Sequence, residues 1–296
     1  MSTDMIDPVR SILSAHTPAW HTCDFSIGGI FMWTDYFHYE GAIADDTLFI
    51  RGVNENDLSS LAFSLPVGAL PLDKSLDILS RYCRENGCDC VLSAVPAPAV
   101  DIIDSVASVK RVEALPDWGD YLYDITRLAS LSGKAMNKKR NHVNRFEAEN
   151  PGYTFEPLTP ELIPAVTAFY ENMAPAPDKA MSADYERLQV LEVLRHHPLY
   201  GFEGAVLSTP ADGIVAFTMG EVIADTLYVH IEKMRHDVAG AGETVNCLFA
   251  RMMSERYGSN LLYVNREEDA GDEGLRKAKL SYHPCQVIPK FNVIIR

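Results

Sequence analysis

The chain has 296 residues, 47% of them hydrophobic and 23% charged, with a formal net charge of −15. That composition is the one of a folded chain of one large or two ordinary domains, and the acidic excess argues against indiscriminate binding to nucleic acid or anionic membranes while leaving room for a local basic site. No apolar run reaches the roughly 18 residues of an integral membrane segment, and the first ten residues lack the basic-then-apolar order of a secretory signal, so the expected location is cytoplasmic.

In chain order, a short helix is expected near residues 8–14. The aromatic stretch 31–39 has the spacing of a buried helix, with Phe31, Tyr36 and Tyr39 on one face. Strands are predicted at 41–44 and 48–51 across an Asp45-Asp46 turn, and again at 61–65. Helical periodicity covers 73–85, where Asn86-Gly87 supplies a left-handed cap. A strand at 90–95, a helix at 99–109 and two strands at 111–114 and 121–125 complete a first domain, 1–130. Residues 131–150 form a basic connecting helix in an otherwise acidic chain. Its Lys138, Lys139, Arg140, His142 and Arg145 make a local positive surface. A solvated linker helix is the competing reading.

The second domain, 151–296, begins with a strand at 153–156 and a helix at 160–172. A proline-rich loop at 173–178 leads to a helix capped by Ser182 and running to about residue 196. Strands follow at 204–207, 214–222 and 226–233, the last two forming a hairpin across Ala224-Asp225. A helix at 243–257, a strand at 261–265, an acidic loop at 266–273, a helix at 274–280 and a strand at 286–295 end the chain. Both halves mix strands and helices, so the fold class is α+β with mixed sheets. Of the six cysteines, Cys83, Cys88 and Cys90 cluster without a C-x-x-C pair. Reduced, mostly buried thiols are the expectation, with no metal.

The chemistry concentrates at 225–257. Alternation along the strand puts Tyr228, His230 and Glu232 on one face and Leu227, Val229 and Ile231 on the other. The turn Gly240-Ala241-Gly242 then lets a backbone approach a ligand at a helix N-terminus, which favours an anion. His230 or Glu232 is placed to take a proton from an attacking amine. A satisfied half-buried histidine, and an ion pair of Glu232 with Lys233 or Arg235, are the structural alternatives.

The element order of the second half resembles the GNAT superfamily of N-acyltransferases. Its phosphate turn, Gln/Arg-x-x-Gly-x-Gly/Ala, aligns with Asp237-Val-Ala-Gly240-Ala-Gly242, where the acidic Asp237 departs from the pattern. Ala278-Lys-Leu-Ser-Tyr282 matches the family's Ala-x-x-x-Tyr segment, which implies Tyr282 as a general acid. Over most of the chain a closer resemblance holds to the bacterial phosphatidylglycerol lysyltransferase C-terminal family. It is carried by Met32-Trp-Thr-Asp-Tyr-Phe-His-Tyr39, Lys139-Arg-Asn-His-Val-Asn-Arg-Phe146, His230-Ile-Glu-Lys233, Asn265-Arg-Glu-Glu-Asp269 and Gly274-Leu-Arg-Lys-Ala-Lys-Leu-Ser-Tyr282. The resemblance implies two tandem GNAT-like domains, an architecture shared with the Fem aminoacyltransferases. The membrane part that lysyl-lipid synthases carry ahead of this domain has no counterpart in the sequence, so a small-molecule acceptor is read beside a lipid headgroup.

Around the same cleft, Asn265 and Arg266 end a strand, and Arg266 suits a phosphate or carboxylate unless the acidic loop claims it. Lys277 and Lys279 share one short helix with Arg276, so the three cannot all face the cleft. The expectation is an acyl- or aminoacyl-transferase with no tightly bound cofactor. Its donor is acyl-coenzyme A or an aminoacyl-tRNA whose acceptor end meets the basic helix. The oligomeric state stays open. A GNAT-like ligand-binding or regulatory module without turnover is the alternative, motivated by Asp237.

Overall fold

Asp45 and Asp46 both take left-handed backbone angles, φ 46° and 53°, as a two-residue hairpin turn requires. Short polar side chains tolerate that region, so the Asp-Asp pair reverses the chain where the sequence pattern places a turn. The computed structural model describes residues 1–16, 20–173 and 181–296. The proline-rich loop expected after residue 173 and the Ser182 cap lie outside the described residues and side chains.

The elements run α1 (Ile6–His16), α2 (Ile27–Phe31), β1 (Glu40–Ala44), β2 (Thr47–Asn54), β3 (Asp57–Phe63), β4 (Val67–Gly68), α3 (Leu72–Asn86), β5 (Cys90–Pro96), α4 (Ala97–Val106) and β6 (Val109–Asp124). There follow α5 (Ile125–Ser130), α6 (Asn137–Glu149), β7 (Thr154–Pro157), α7 (Ile163–Asn172), α8 (Met181–Arg195), α9 (His197–Tyr200), β8 (Glu203–Thr209), β9 (Gly213–Ile223) and β10 (Thr226–Met234). The chain ends with α10 (Ala241–Tyr257), β11 (Tyr263–Asn265), α11 (Glu273–Leu280) and β12 (Gln286–Ile295).

Two expectations fail here. The aromatic stretch 31–39 is not a helix: α2 stops at Phe31, turns follow, and His38 is left-handed. Its rings cluster instead by edge and stacked contacts, such as Phe37 with Tyr39 at 5.5 Å and with Trp118 at 5.9 Å. The two strands expected within 111–125 are one long strand, β6.

The chain divides into two compact units. The first comprises Met1–Tyr121, Glu268–Glu273 and Val287–Arg296, and the second Leu122–Glu267 and Gly274–Gln286. The division falls at 121 rather than 130, and the basic helix α6 lies inside the second unit rather than between the two. In the first unit the strand order is β1-β2-β3-β5-β12-β6, with β4 on β2. Its β3 and β5 pair in parallel, while β5 and β12 are antiparallel. In the second unit the last residues of β6 begin the order β6-β11-β10-β9-β8-β7. Only β10 and β11 are parallel in this second set; β7, β8 and β9 form an antiparallel meander into β10.

Helix α10 anchors the second unit. Val245, Phe249 and Met253 recur at four-residue spacing and are all buried. Val245 packs with Phe146 of α6 and with Leu207, Val215 and Ala216 of the sheet. Each such side chain contributes about 1.5–3 kcal/mol by leaving water. Among the described residues no helix is long and apolar enough to cross a membrane.

Candidate active site

Strands β10 and β11 pair in parallel only from Thr226↔Tyr263 to Tyr228↔Asn265. Beyond that point β11 ends, while β10 continues to Met234 paired with β9 alone. Two parallel strands therefore part at their C-terminal ends, where the ends of an open sheet suit a binding site.

A bulge sits at the parting. Val229 faces Gly220 across the β9–β10 ladder, and Ile231 faces Met219, so His230 is an extra residue. An inserted residue breaks the alternation of side chains. The expectation that His230 and Glu232 share a face is thereby overturned. His230 turns toward Glu221, which lies opposite Tyr228, and its ring stacks on Tyr228 with centroids 6.4 Å apart. Glu232 lies opposite Thr218 and reaches Asn246 of α10. The residues after β11 divide the same way, Arg266 toward Glu232 and Glu267 toward His230.

On the His230 side, Nε2 is 2.9 Å from Glu221 Oε1 and Nδ1 is 2.7 Å from Glu267 Oε1. The imidazole side chain is 1% exposed. Burial works to lower its pKa, but the two carboxylates outweigh that and raise it from 6.5 to about 9. At neutral pH His230 is an imidazolium with both N–H groups engaged.

On the other side, Arg266 Nη2 donates to Glu232 Oε1 at 2.8 Å, and Asn246 Nδ2 donates to Glu232 Oε2 at 3.0 Å. His230 is thus the satisfied, buried histidine of the structural alternative, whereas among the described residues Glu232 does not pair with Lys233 or Arg235. Lys233 pairs with Glu186, and Arg235 pairs with Asp212 and Asp237. The Arg266 guanidinium lies 4.9 Å from the Tyr282 ring centroid, and Lys139 Nζ lies 4.0 Å from it. Lys139 also reaches Glu243 Oε1 at 3.3 Å. Desolvation lowers the Lys139 pKa, with the Glu243 charge opposing and the charges of Arg266 and Lys138 adding to the fall. Burial pushes the Tyr282 phenol well above its ordinary range, so it keeps its proton. Two cations thus stand between two carboxylates, Glu243 beside Lys139 and Glu232 beside Arg266, with Tyr282 against both cations.

Four buried polar atoms here have no hydrogen-bond partner among the described residues: Arg266 Nη1, Asn246 Oδ1, Thr218 Oγ1 and Thr244 Oγ1. The first three belong to residues that contact Glu232 or stand directly across the ladder from it.

The remaining expected residues fall as follows. Gly240 caps α10 in the left-handed region, φ 81°. A Cβ there would meet the His142 carbonyl oxygen of α6 at 2.5 Å. The turn glycine thus lets α6 pack closely. Ala241 is buried in the core beside it, and Gly242 lies near Met234. Glu243 of the first helical turn draws Lys139 and His142 to this N-terminus. Asn265 is buried, and its Oδ1 accepts the Glu267 N–H at 2.6 Å. Lys279 is buried and donates to the Arg266 carbonyl, fixing the chain after β11, while Lys277 is exposed. The basic helix does not present one cationic face. Lys139 and His142 turn inward to Glu243, Arg140 donates to the Leu131 carbonyl at 2.5 Å, Arg145 pairs with Glu149, and Lys138 is exposed.

Sequence reasoning missed Glu221, Asn246 and Thr218, and placed Lys139 only in the basic patch. A carboxylate and an amide within otherwise apolar runs, 214–223 and 245–250, were the available signals.

A second buried ionic cluster lies in the first unit. Lys290 Nζ is 2.7 Å from both Asp24 Oδ2 and Asp120 Oδ1, 3.9 Å from Glu268 Oε2 and 3.7 Å from Cys23 Sγ. Donor atoms of Cys23, Asp24 and Asp120 come within 4.8 Å of one another, as metal ligands do. The Lys290 ammonium stands among them as their cation, so the cluster is self-neutralising in part.

The mixed sheet, the parted parallel strands and the helix packed behind them define a GNAT-like α+β protein. The fold is shared with FemX, at a TM-score of 0.58 and 10% identity over 100% of this chain and 96% of that one. The chain belongs to the phosphatidylglycerol lysyltransferase C-terminal family, whose model matches residues 19–294. It is similar to a conserved protein of unknown function from Bacteroides thetaiotaomicron VPI-5482, with 29% identity and a TM-score of 0.86 over 100% and 98% of the two chains. It shares its fold with L-PGS from Bacillus licheniformis, with 13% identity and a TM-score of 0.64 over 98% and 91%. No curated protein matches it.

Proposed function

We propose that the second unit is the catalytic half of a tandem GNAT-like transferase that moves an aminoacyl group from an activated ester to an amine or hydroxyl acceptor. The observation that carries this reading is the set of unpartnered polar atoms beside Glu232. Arg266 Nη1 is a charged donor suited to an ester carbonyl oxygen that gains negative charge during attack. Asn246 Oδ1 and Thr218 Oγ1 are acceptors beside a carboxylate, suited to an ammonium or an attacking amine. An aminoacyl ester offers both an ammonium and a carbonyl within a few bonds.

The mechanism is direct attack in a ternary complex. Glu232 takes the proton of the attacking group as the tetrahedral centre forms. Arg266 holds the developing oxyanion. Tyr282, which keeps its proton, donates to the leaving oxygen. Lys139 positions the Tyr282 ring and adds a second positive charge beside it. His230 does not act as the base, because both its nitrogens are held by carboxylates and it is charged at neutral pH.

The glycine turn favours an aminoacyl ester over acyl-coenzyme A. Gly240 lies against α6, and the first turn of α10 already carries the Glu243 carboxylate in contact with Lys139. For an aminoacyl-tRNA, the exposed Lys134, Lys138 and Arg145 offer phosphate contacts. The surface pair Arg145–Glu149 exchanges readily because exposed ion pairs contribute little. Purified protein assayed with a panel of charged tRNAs and acyl-coenzyme A donors tests the reading. Transfer from a charged tRNA supports it; absence of both transfer and binding with every donor overturns it.

A further inference from the structure

The closure of α3 places two thiols side by side. The Cys88 N–H donates to the Cys83 carbonyl at 3.0 Å and the Gly87 N–H to the Arg84 carbonyl at 3.4 Å, with Gly87 left-handed at φ 68°. This is a Schellman cap, in which the side chains at the two ends of the longer bond meet. Both are cysteines here, and Cys88 Sγ lies 3.7 Å from the Cys83 carbonyl oxygen. Cys90 opens β5 two residues later.

All three thiols line one cavity of ≈ 350 Å³. Arg84, Lys110 and Arg296 line it too, against one acidic side chain, Asp89, which Lys110 approaches at 3.4 Å. Cys83 and Cys90 are 2% and 4% exposed, whereas Cys88 is half-buried. Burial pushes the Cys83 and Cys90 thiols up, so neither reacts first with a reagent in solvent. No part of the proposed transferase chemistry uses this cavity, and all its residues belong to the first unit.

We propose that Cys88 and Cys83 form a dithiol site for anionic low-molecular-weight disulfides. The cationic lining draws the carboxylates of the reagent into the cavity. The Cys88 sulfur attacks one sulfur of the reagent: a mixed disulfide bond forms, the reagent's own S–S bond breaks, and one small thiol leaves with the Cys88 proton. The Cys83 sulfur then attacks the Cys88 sulfur and releases the second small thiol with the Cys83 proton. The protein loses two hydrogens and gains one internal disulfide, and the reagent is reduced to two thiols.

The test uses the full chain carrying Cys285→Ser, which removes the exposed cysteine of the second unit. It is incubated with glutathione disulfide and, separately, with the uncharged bis(2-hydroxyethyl) disulfide, then mapped by non-reducing peptide mass spectrometry. The expected product is a Cys83–Cys88 bond that forms several-fold faster with the charged reagent. Arg84→Gln reduces that preference. Cys88→Ser, a change at a half-buried position, keeps the fold and abolishes the bond. Three results overturn the proposal: thiols that stay reduced, equal rates with both reagents, or a Cys83–Cys90 bond that forms at the full rate in the Cys88→Ser chain.

Discussion

Glu232 and Arg266 meet at 2.8 Å just past the last rung that joins β10 to β11, with side chains only 12% and 15% exposed. Coulombic attraction there is strong because little water screens it, and the desolvation of both groups works against it. Removing one partner strands the other charge. Arg266→Ala is expected to cost about 3–5 kcal/mol. The double change Glu232→Leu with Arg266→Met is expected to cost less than the sum of the single changes. Urea unfolding of Glu232→Leu, Arg266→Met and the double variant measures this coupling, and strict additivity would contradict it.

The His230 pair sets a pH dependence. The folded-state pKa of about 9 lies above the unfolded 6.5. A raised histidine contributes stability that is full below pH 6.5 and is lost as pH rises through about 9. At roughly 1.4 kcal/mol per pKa unit, the loss is on the order of 3 kcal/mol. Unfolding midpoints between pH 6 and pH 9.5 are expected to fall in the wild type, and less steeply in His230→Gln.

Glu55 in the first unit gives a slope in a lower window. Burial raises its carboxyl from 4.5 to about 7, against hydrogen bonds from Ser93 and the backbone that work to lower it. Its contribution is therefore present below pH 4.5 and lost as pH rises through 7. Glu55→Gln is expected to match the wild type near pH 4 and to exceed it in stability above pH 7. Thermal unfolding at both pH values checks this.

Gly240 is constrained twice, by its φ of 81° and by the His142 carbonyl 2.5 Å from where a Cβ would stand. Gly240→Ala is expected to cost about 1–3 kcal/mol in backbone strain alone. It would also push α6 outward, carrying Lys139 from the Tyr282 ring. Loss of activity beyond the loss of folded protein is the readout. A variant of wild-type stability and activity would show that α6 does not depend on this contact.

Much of the fold was legible. The helix over α3, its left-handed Gly87 cap and the last strand over β12 follow from periodicity and turn residues. The site was legible only in its parts. Alternation assigns His230 and Glu232 to one face, and nothing local in the sequence announces the bulge that separates them. The aromatic run 31–39 has helical spacing, yet ring-to-ring packing outcompetes the helix. Lys139 sits in a run of cations that reads as a surface. Its inward turn depends on Glu243, more than a hundred residues away.

The central claim is that Glu232, not His230, carries the proton transfer. Single-turnover transfer from the charged tRNA that the donor panel selects, measured at pH 7 on folded wild type, Glu232→Gln and His230→Gln, tests it most directly. The account predicts a fall of about 100- to 10,000-fold for Glu232→Gln and less than about tenfold for His230→Gln. A Glu232→Gln enzyme that transfers at the wild-type rate, or a His230→Gln enzyme that takes the larger loss while folded, would contradict it.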